Sequence, residues 1–304
     1  MPPSPDAPDR PATWPAFAQA RARHGPPRVP FVLGIGPGDR GRRRVLGSVS
    51  VADVDALARF PDVLVLEGAA NARTVVLRPG DRAWRDGRLA EVHRVLRDEG
   101  RIAAWRDEPY PLRDVEGGEH GIVERASSRF WGLLTFGAHA NGYVADASGR
   151  PTLLWIARRA RSKPTDPGKL DNLVGGGVPA GQTPDEALVR EGWEEAGLTP
   201  GDMVARVAGG VLSIDADIPE GRQLEWLFVF DLVRPAGWAP RAIDGEVDEH
   251  LLLPVDEALA RAAAGEMTTD AALATLDFAL RHRVAGSGAA TLARSLDALR
   301  VSPS

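Results

Sequence analysis

The chain has 304 residues, 43% of them apolar and 26% charged, which fits a folded globular protein of about two domains and excludes a disordered or fibrous one. A formal net charge of −5 leaves no basic footprint for nucleic acid or a membrane surface. Cysteine is absent, which excludes disulfides, Cys-ligated zinc, iron–sulfur clusters and thiol nucleophiles; of the 37 basic residues only Lys163 and Lys169 are lysines.

Residues 1–26 form a Pro/Ala-rich leader without the apolar core of a secretory signal. A short helix is expected over 14–23, and Pro26-Pro27 breaks it. No apolar stretch approaches the roughly 20 residues of a membrane span, so the expected setting is cytoplasmic. Residues 27–120 read as a small α+β domain, beginning with a strand over 29–35. Ser50 caps an expected helix reaching Phe60, with Asp53 as a weak capping-box partner and Pro61 as its stop. Strands follow over 62–67 and 74–77, then a helix over 89–100 with Leu89, Val92, Val95 and Leu96 on one side. The glycine-containing loop 114–121 is the expected boundary, and residues 121–304 form the second domain.

In that second part, strands are expected over 136–145 and 153–158 about a turn at Ser148-Gly149. Further strands are expected over 173–178, 204–214, 224–232 and 251–253, and helices over 256–264 and 270–283 close the chain. The plan is mixed α/β.

Several motifs carry little. Gly36-Pro-Gly38-Asp-Arg-Gly41 matches G-x-G-x-x-G, but no helix opens after it to receive a pyrophosphate, and a surface turn accounts for it. Residues 176–183 nearly spell a P-loop, yet Gln182 stands where the phosphate-binding lysine belongs. The six histidines show no i, i+4 pair, and no Gly-x-Ser-x-Gly elbow is present.

The segment 175–198 is different. Thr183 is an N-cap, Pro184 takes the first helical position, Glu186 completes a capping box and Gly197 supplies the stop. The expected helix over 184–196 is about 20 Å long. On it Glu191, Glu194 and Glu195 stand at i, i+3 and i+4, within an arc of roughly 100°. Three carboxylates within one turn repel unless a cation neutralises them, and a hard divalent ion such as Mg²⁺ suits oxygen ligands. A solvated acidic face, with Arg190 and Glu194 as an i, i+4 pair, is the other reading of the helix alone. The glycine-rich entry weighs toward the metal, because backbone carbonyls can approach the same ion.

With its flanks this segment resembles the Nudix box, G-x5-E-x7-R-E-U-x-E-E-x-G-U, where U is a bulky aliphatic residue. Gly176, Arg190, Glu191, Glu194, Glu195, Gly197 and Leu198 fall at their positions. Gln182 replaces the first glutamate and Gly192 the first aliphatic residue, a packing loss that Trp193 is expected to offset. The resemblance implies a Nudix α/β/α sandwich with a mixed sheet, preceded here by the small α+β domain. It also implies Mg²⁺- or Mn²⁺-dependent hydrolysis of a diphosphate linkage. Carried over, Glu194, Glu195 and the Gly176 carbonyl would be metal ligands, Glu191 a ligand or the base that activates water, and Arg190 the group that orients the glutamates. A further carboxylate is expected from 244–249, with Glu246 as the choice; a polar loop before a strand is the alternative there.

Outside the box, Trp105-Arg-Asp-Glu108, Glu124-Arg-Ala126, His139-Ala-Asn141-Gly-Tyr143, 154–159 and 163–172 are similar to one group of Nudix proteins. Its members carry an extra N-terminal domain and are related to the C-terminal half of fungal thiamine pyrophosphokinase and to plant proteins. The resemblance covers most of residues 29–285. It implies hydrolysis of thiamine diphosphate and its oxo and oxy forms to the monophosphate, and, with no counterpart of the kinase half, no thiamine kinase activity. Trp105, Trp131, Trp155 and Tyr143 are candidates to stack on a heteroaromatic ring or face a thiazolium, with core packing as the competing role of each. Lys163 and Lys169 lie just before the box, where a phosphate could reach them, or in a solvated loop.

The expected partner is a small-molecule diphosphate, with no nucleic acid and no membrane; a homodimer is an open option. Competing functions are the same hydrolysis on ADP-ribose, a nucleotide sugar or a damaged nucleotide, and a non-catalytic Nudix-fold binding module, which Gln182 alone encourages.

Overall fold

The leader contributes one short helix, α1 (Pro15–Gln19), begun by a proline at its first position. It is shorter than expected because the chain beyond it turns to hydrogen-bond along a strand. The Asp215 and Asp217 amides donate to the Ala20 and Ala22 carbonyls, each at 2.9 Å. Trp14, Ala16 and Ala20 are buried in the same core as the helices that end the chain, so this part of the leader belongs to the second half of the protein. The computed structural model describes residues 14–36, 42–69 and 73–303; most of the Gly36–Gly41 motif lies outside them.

The N-terminal region follows. β1 (Arg28–Leu33), β2 (Arg44–Ser50), α2 (Val51–Leu57), β3 (Leu64–Glu67), β4 (Thr74–Leu77) and α3 (Arg82–Asp98) build a four-stranded sheet of order β2-β1-β4-β3 with its helices. Ser50 caps α2 by accepting from the Ala52 amide, whereas Asp53 turns away to Arg101 at 2.5 Å and forms no capping box. α3 begins earlier than its apolar side suggests, because Asp81 caps it by accepting from the Trp84 amide. The hairpin β5 (Pro109–Arg113) and β6 (Glu119–Glu124), then α4 (Arg125–Phe130), complete the region. One buried cluster runs from Val29 to Leu133. The loop 114–121 is the turn of this hairpin, tied by Asp114 to the Glu116 and Gly118 amides at 2.9 Å, and position 120 falls inside β6.

The second sheet has the order β11-β12-β7-β8-β13, with β9 and β10 attached to β8 and β7. Its strands are β7 (Leu134–Ala145), β8 (Pro151–Arg159), β9 (Leu170–Asn172), β10 (Val174–Gly177), β11 (Val207–Ile218), β12 (Gly221–Val233) and β13 (Val247–Pro254). β7 and β12 run parallel and the other pairs antiparallel, so the sheet is mixed. β7 pairs with β8 only from Gly142 onward; before that the two strands part, and β9 and β10 fill the gap. That splay brings the glycines of β10 against the middle of the sheet.

Helix α5 (Pro184–Ala196) covers one face, burying Ala187, Leu188 and Ala196 against Ala138, Ala140 and Val174. α6 (Pro200–Met203) follows it, and α7 (Val255–Ala263), α8 (Thr269–Arg281) and α9 (Ala289–Asp297) cover the other face. The result is an α/β/α sandwich. The strand expected over 204–214 is preceded by α6, set by its Thr199/Asp202 capping box, and the turn that leaves the helix delays the strand to Val207. No helix of the described residues is long and apolar enough to cross a membrane.

Candidate active site

Helix α5 has the expected limits, with the reciprocal Thr183/Glu186 capping box at its start and Gly197 in the left-handed conformation at its end. Its length and phase fix where the three glutamates point. Glu195 is 7% exposed and accepts from the Gly175 amide at 2.8 Å, while Glu194 is 36% exposed. Glu191 lies between them in depth, and its carboxyl rests on Gly176: a Cβ there would stand 2.3 Å from Cδ and Oε1. Only glycine admits that approach.

Arg190 ties the set together. Its Nη2 donates to Glu191 and its Nη1 to Glu194, both at 2.8 Å, and its Nε reaches Gln182 at 3.4 Å. Gln182 therefore still touches the arginine of the helix despite lacking a charge. The space above Gly192 is filled by Met203, whose sulfur is 3.2 Å from where a Cβ would stand; Trp193, 49% exposed, does not offset the lost aliphatic side chain.

Burial pushes the Glu195 carboxyl well up from the ordinary carboxylate range, reinforced by the charge of Glu191. Burial also raises Glu191, against the pull of Arg190. These two carboxylates are short of positive charge. Lys163 supplies part of it: its ammonium contacts Glu246 and stands 3.9 Å from Glu195. Burial works against ionisation of Glu246, but Lys163, with Arg106 and Arg125, outweighs it and holds this carboxyl below its usual range.

The buried oxygen donors Glu191 and Glu195 and the glycine cradle fit a hard divalent ion. No group of three or more His, Asp or Glu side chains among the described residues is already arranged around one ion position. Arg190 and Lys163 engage the carboxylates instead.

These groups open onto a cavity of about 610 Å³ between the N-terminal region and the second sheet, and onto an adjoining recess of about 430 Å³. Glu191 and Glu246 line both, and Arg106 and Arg125 face them in both from the N-terminal region. Arg125 is braced by Glu108 at 2.8 Å. Both arginines fall in segments that carry the resemblance outside the box, 105–108 and 124–126, but neither is singled out there as a site residue.

The sequence candidates thus divide. Gly176, Arg190, Glu191, Glu194, Glu195, Glu246 and Lys163 come together. Lys169 lines the cavity wall but pairs with Asp166 at 2.9 Å, apart from the glutamates. Trp105 faces away from the cavity, its indole donating to Asp107 at 2.7 Å under the guanidinium of Arg97. Tyr143 is packed on Phe278 and His282 beneath α8. Trp131 stacks on Phe31 and Trp155 meets Trp238 edge-on, both as packing residues.

An α/β/α sandwich that sets buried glutamates beneath an arginine rim suits a phosphate-bearing small molecule. The NUDIX domain family model matches residues 135–272. Nudix hydrolase 20, chloroplastic, of Arabidopsis thaliana is 30% identical over 267 residues, covering 84% of this chain and 68% of that protein. Nudix hydrolase 24, chloroplastic, of the same plant is 31% identical over 257 residues, covering 84% and 67%. A solved structure, DR0079 from Deinococcus radiodurans, is 26% identical with a TM-score of 0.42, covering 53% of this chain and 92% of that one. The chain belongs to the Nudix hydrolases, enzymes that act on diphosphate bonds.

Proposed function

We propose that this Nudix hydrolase is a Mg²⁺- or Mn²⁺-dependent diphosphatase of thiamine diphosphate and its oxo and oxy forms, releasing the monophosphate and orthophosphate. The observation that carries the diphosphate site is buried Glu191, with Glu195 one turn on along α5, facing Arg106 and Arg125 in one cavity. The thiamine part is supported by the family resemblance outside the box. The plant relatives match 84% of the chain, more than the Nudix domain and the C-terminal segment together supply, so their similarity extends into the N-terminal region.

In this reading Glu194, Glu195 and the Gly176 carbonyl hold the ion, Glu191 holds it or takes the proton of the attacking water, and Glu246 adds a carboxylate. When bound, the ion neutralises diphosphate charge and lowers the pKa of water. Arg190 keeps the glutamates in register, and Arg106, Arg125 and Lys163 bind phosphoryl oxygens. The water oxygen bonds to one phosphorus as the P–O–P bridge opens, and the bridging oxygen leaves with the other phosphate.

The test is a substrate panel with Mg²⁺ or Mn²⁺ present and absent, with products resolved. Thiamine diphosphate should yield thiamine monophosphate and orthophosphate only with metal. Turnover of ADP-ribose to AMP with thiamine compounds inert would replace the substrate, and inertness of every diphosphate would favour a binding module.

We place the division between the two domains near Leu133, where the N-terminal cluster ends. A homodimer belongs to the same reading, supported by exposed Trp193 on α5 beside Ile243, whose amide bonds to the Glu194 carbonyl at 2.8 Å. Sedimentation tests it. We propose a cytoplasmic setting, which fractionation tests; the two plant relatives are themselves named chloroplastic.

A further inference from the structure

The cavity holds a second group of charged side chains, away from α5. It gathers where β7 and β12 begin and α8 starts: Glu225 and Gln223 on β12, His139 on β7, Asp270 in the first turn of α8, and Arg129 from α4. None belongs to the Nudix box.

Glu225 lies across Gly137, where a Cβ would stand 2.4 Å from its Oε1. Its side chain is 8% exposed. Oε2 accepts from Gln223 at 3.0 Å and from Arg129 at 3.1 Å. Oε1 has no hydrogen-bond partner among the described residues. His139, also 8% exposed, contacts the Asn172 carbonyl oxygen through Nδ1 at 2.9 Å. The Asn172 amide nitrogen donates to Asn141 and Thr275, which fixes that oxygen toward the histidine, so Nδ1 carries a proton. Nε2 too lacks a partner among the described residues. Among the described residues, Asp270 accepts one side-chain hydrogen bond, from Gln223 at 3.5 Å.

This end of the cavity therefore presents the carboxyl groups of Glu225 and Asp270, each with an oxygen that no described residue pairs, beside His139 and the guanidinium of Arg129. Burial, with the charge of Glu225 added, pushes Asp270 up to about 7 against the opposing pull of Arg129. Groups arranged so would be left unpaired by a neutral ligand and satisfied by one bringing N–H donors and positive charge.

We propose that Glu225, Asp270 and His139 form the subsite for the organic end of the diphosphate substrate and favour one that brings N–H donors and positive charge, as the aminopyrimidine and thiazolium rings of thiamine together do, over a neutral nucleoside. This rests on the reading that the Glu191–Glu195 group cleaves a diphosphate in the same cavity.

The test compares kcat/KM for thiamine diphosphate and for methyl diphosphate, which has no ring, in wild type, Glu225→Gln and Asp270→Asn with Mg²⁺. The preference for the ring substrate should fall about tenfold or more in each variant, through KM, as loss of a charge-assisted hydrogen bond implies. A preference unchanged within about twofold overturns the subsite. The folded wild type gives a readout independent of the variants: inhibition by thiamine against inhibition by an uncharged analogue of the same shape. About tenfold stronger inhibition by thiamine is expected, and equal inhibition overturns the proposal. Wild-type preference for ADP-ribose over thiamine diphosphate also overturns it. Failure of wild type on every diphosphate, methyl diphosphate included, instead defeats the reading on which it rests.

Discussion

The carboxyl group of Glu191 occupies the space in which Gly176 would carry a side chain, 2.3 Å from an ideal Cβ. Gly176→Ala should therefore displace Glu191 by about 1 Å and lower kcat about 100-fold, the penalty expected for a misplaced reacting group. The fold should survive, because the clash is with a side chain at a cavity wall. Steady-state kinetics beside a thermal melt checks both parts, and wild-type kcat would show that Glu191 can act from elsewhere.

The two lysines should separate. Lys163 contacts Glu246 and approaches Glu195, so Lys163→Ala should raise KM about tenfold or more. Lys169 pairs with Asp166 at the cavity wall, half exposed, and Lys169→Ala should change kcat/KM by about twofold or less. Equal effects of the two on a diphosphate substrate would contradict the geometry.

Glu195→Gln should stabilise the metal-free protein while impairing it as an enzyme. Because the folded-state pKa of Glu195 is raised, its contribution is favourable below the ordinary carboxylate range and is lost as pH climbs through the folded value. The variant's advantage in Tm should thus grow from acid to neutral pH, reaching about 2 °C for about 1 kcal/mol in a chain of this size. Added Mg²⁺ should raise the Tm of wild type more than that of the variant. A melting series with and without Mg²⁺ reads this without any substrate, and a variant less stable than wild type at neutral pH would refute it.

Acid should weaken the N-terminal region through His93. Its Nε2 accepts from the Trp131 indole at 2.8 Å, its Nδ1 is buried without a partner among the described residues, and burial lowers its pKa to about 3. The unfolded chain takes up a proton near the ordinary histidine value of 6.5, which the folded chain refuses, so stability present above that value is lost as pH falls toward about 3. Between pH 7 and pH 5 the loss from this residue should be about 2 kcal/mol. Urea unfolding at the two pH values, in wild type and in His93→Gln, should differ by that amount; identical pH dependence would refute it.

What is legible in the sequence is what is local. α5 announces itself by Thr183 and Glu186, by Gly197, and by glutamates spaced one turn apart. Val204 and Val207 suggest a strand over 204–214, but Thr199 and Asp202 cap a helix first, and Met203 turns to fill the space above Gly192. Tyr143 shows another limit. It follows His139 on the same side of β7, yet α8 covers it with Phe278 and His282 while His139 stays on the cavity. The chemistry of a ring says nothing about which neighbour lies over it. Glu225 and Asp270 meet only because β12 runs parallel to β7 and α8 begins beside it, a relationship with no trace in spacing.

Arg106, Arg125 and Arg129 precede position 135, where the family signature begins, while the glutamates opposite them follow it. A fragment starting at the signature would keep every box residue and yet lose one wall of its own reaction chamber to bulk water. The signature half is accordingly not a portable module: grafting it onto another scaffold, or exchanging N-terminal regions between relatives, would rewrite which substrates the chamber accepts while leaving the box untouched.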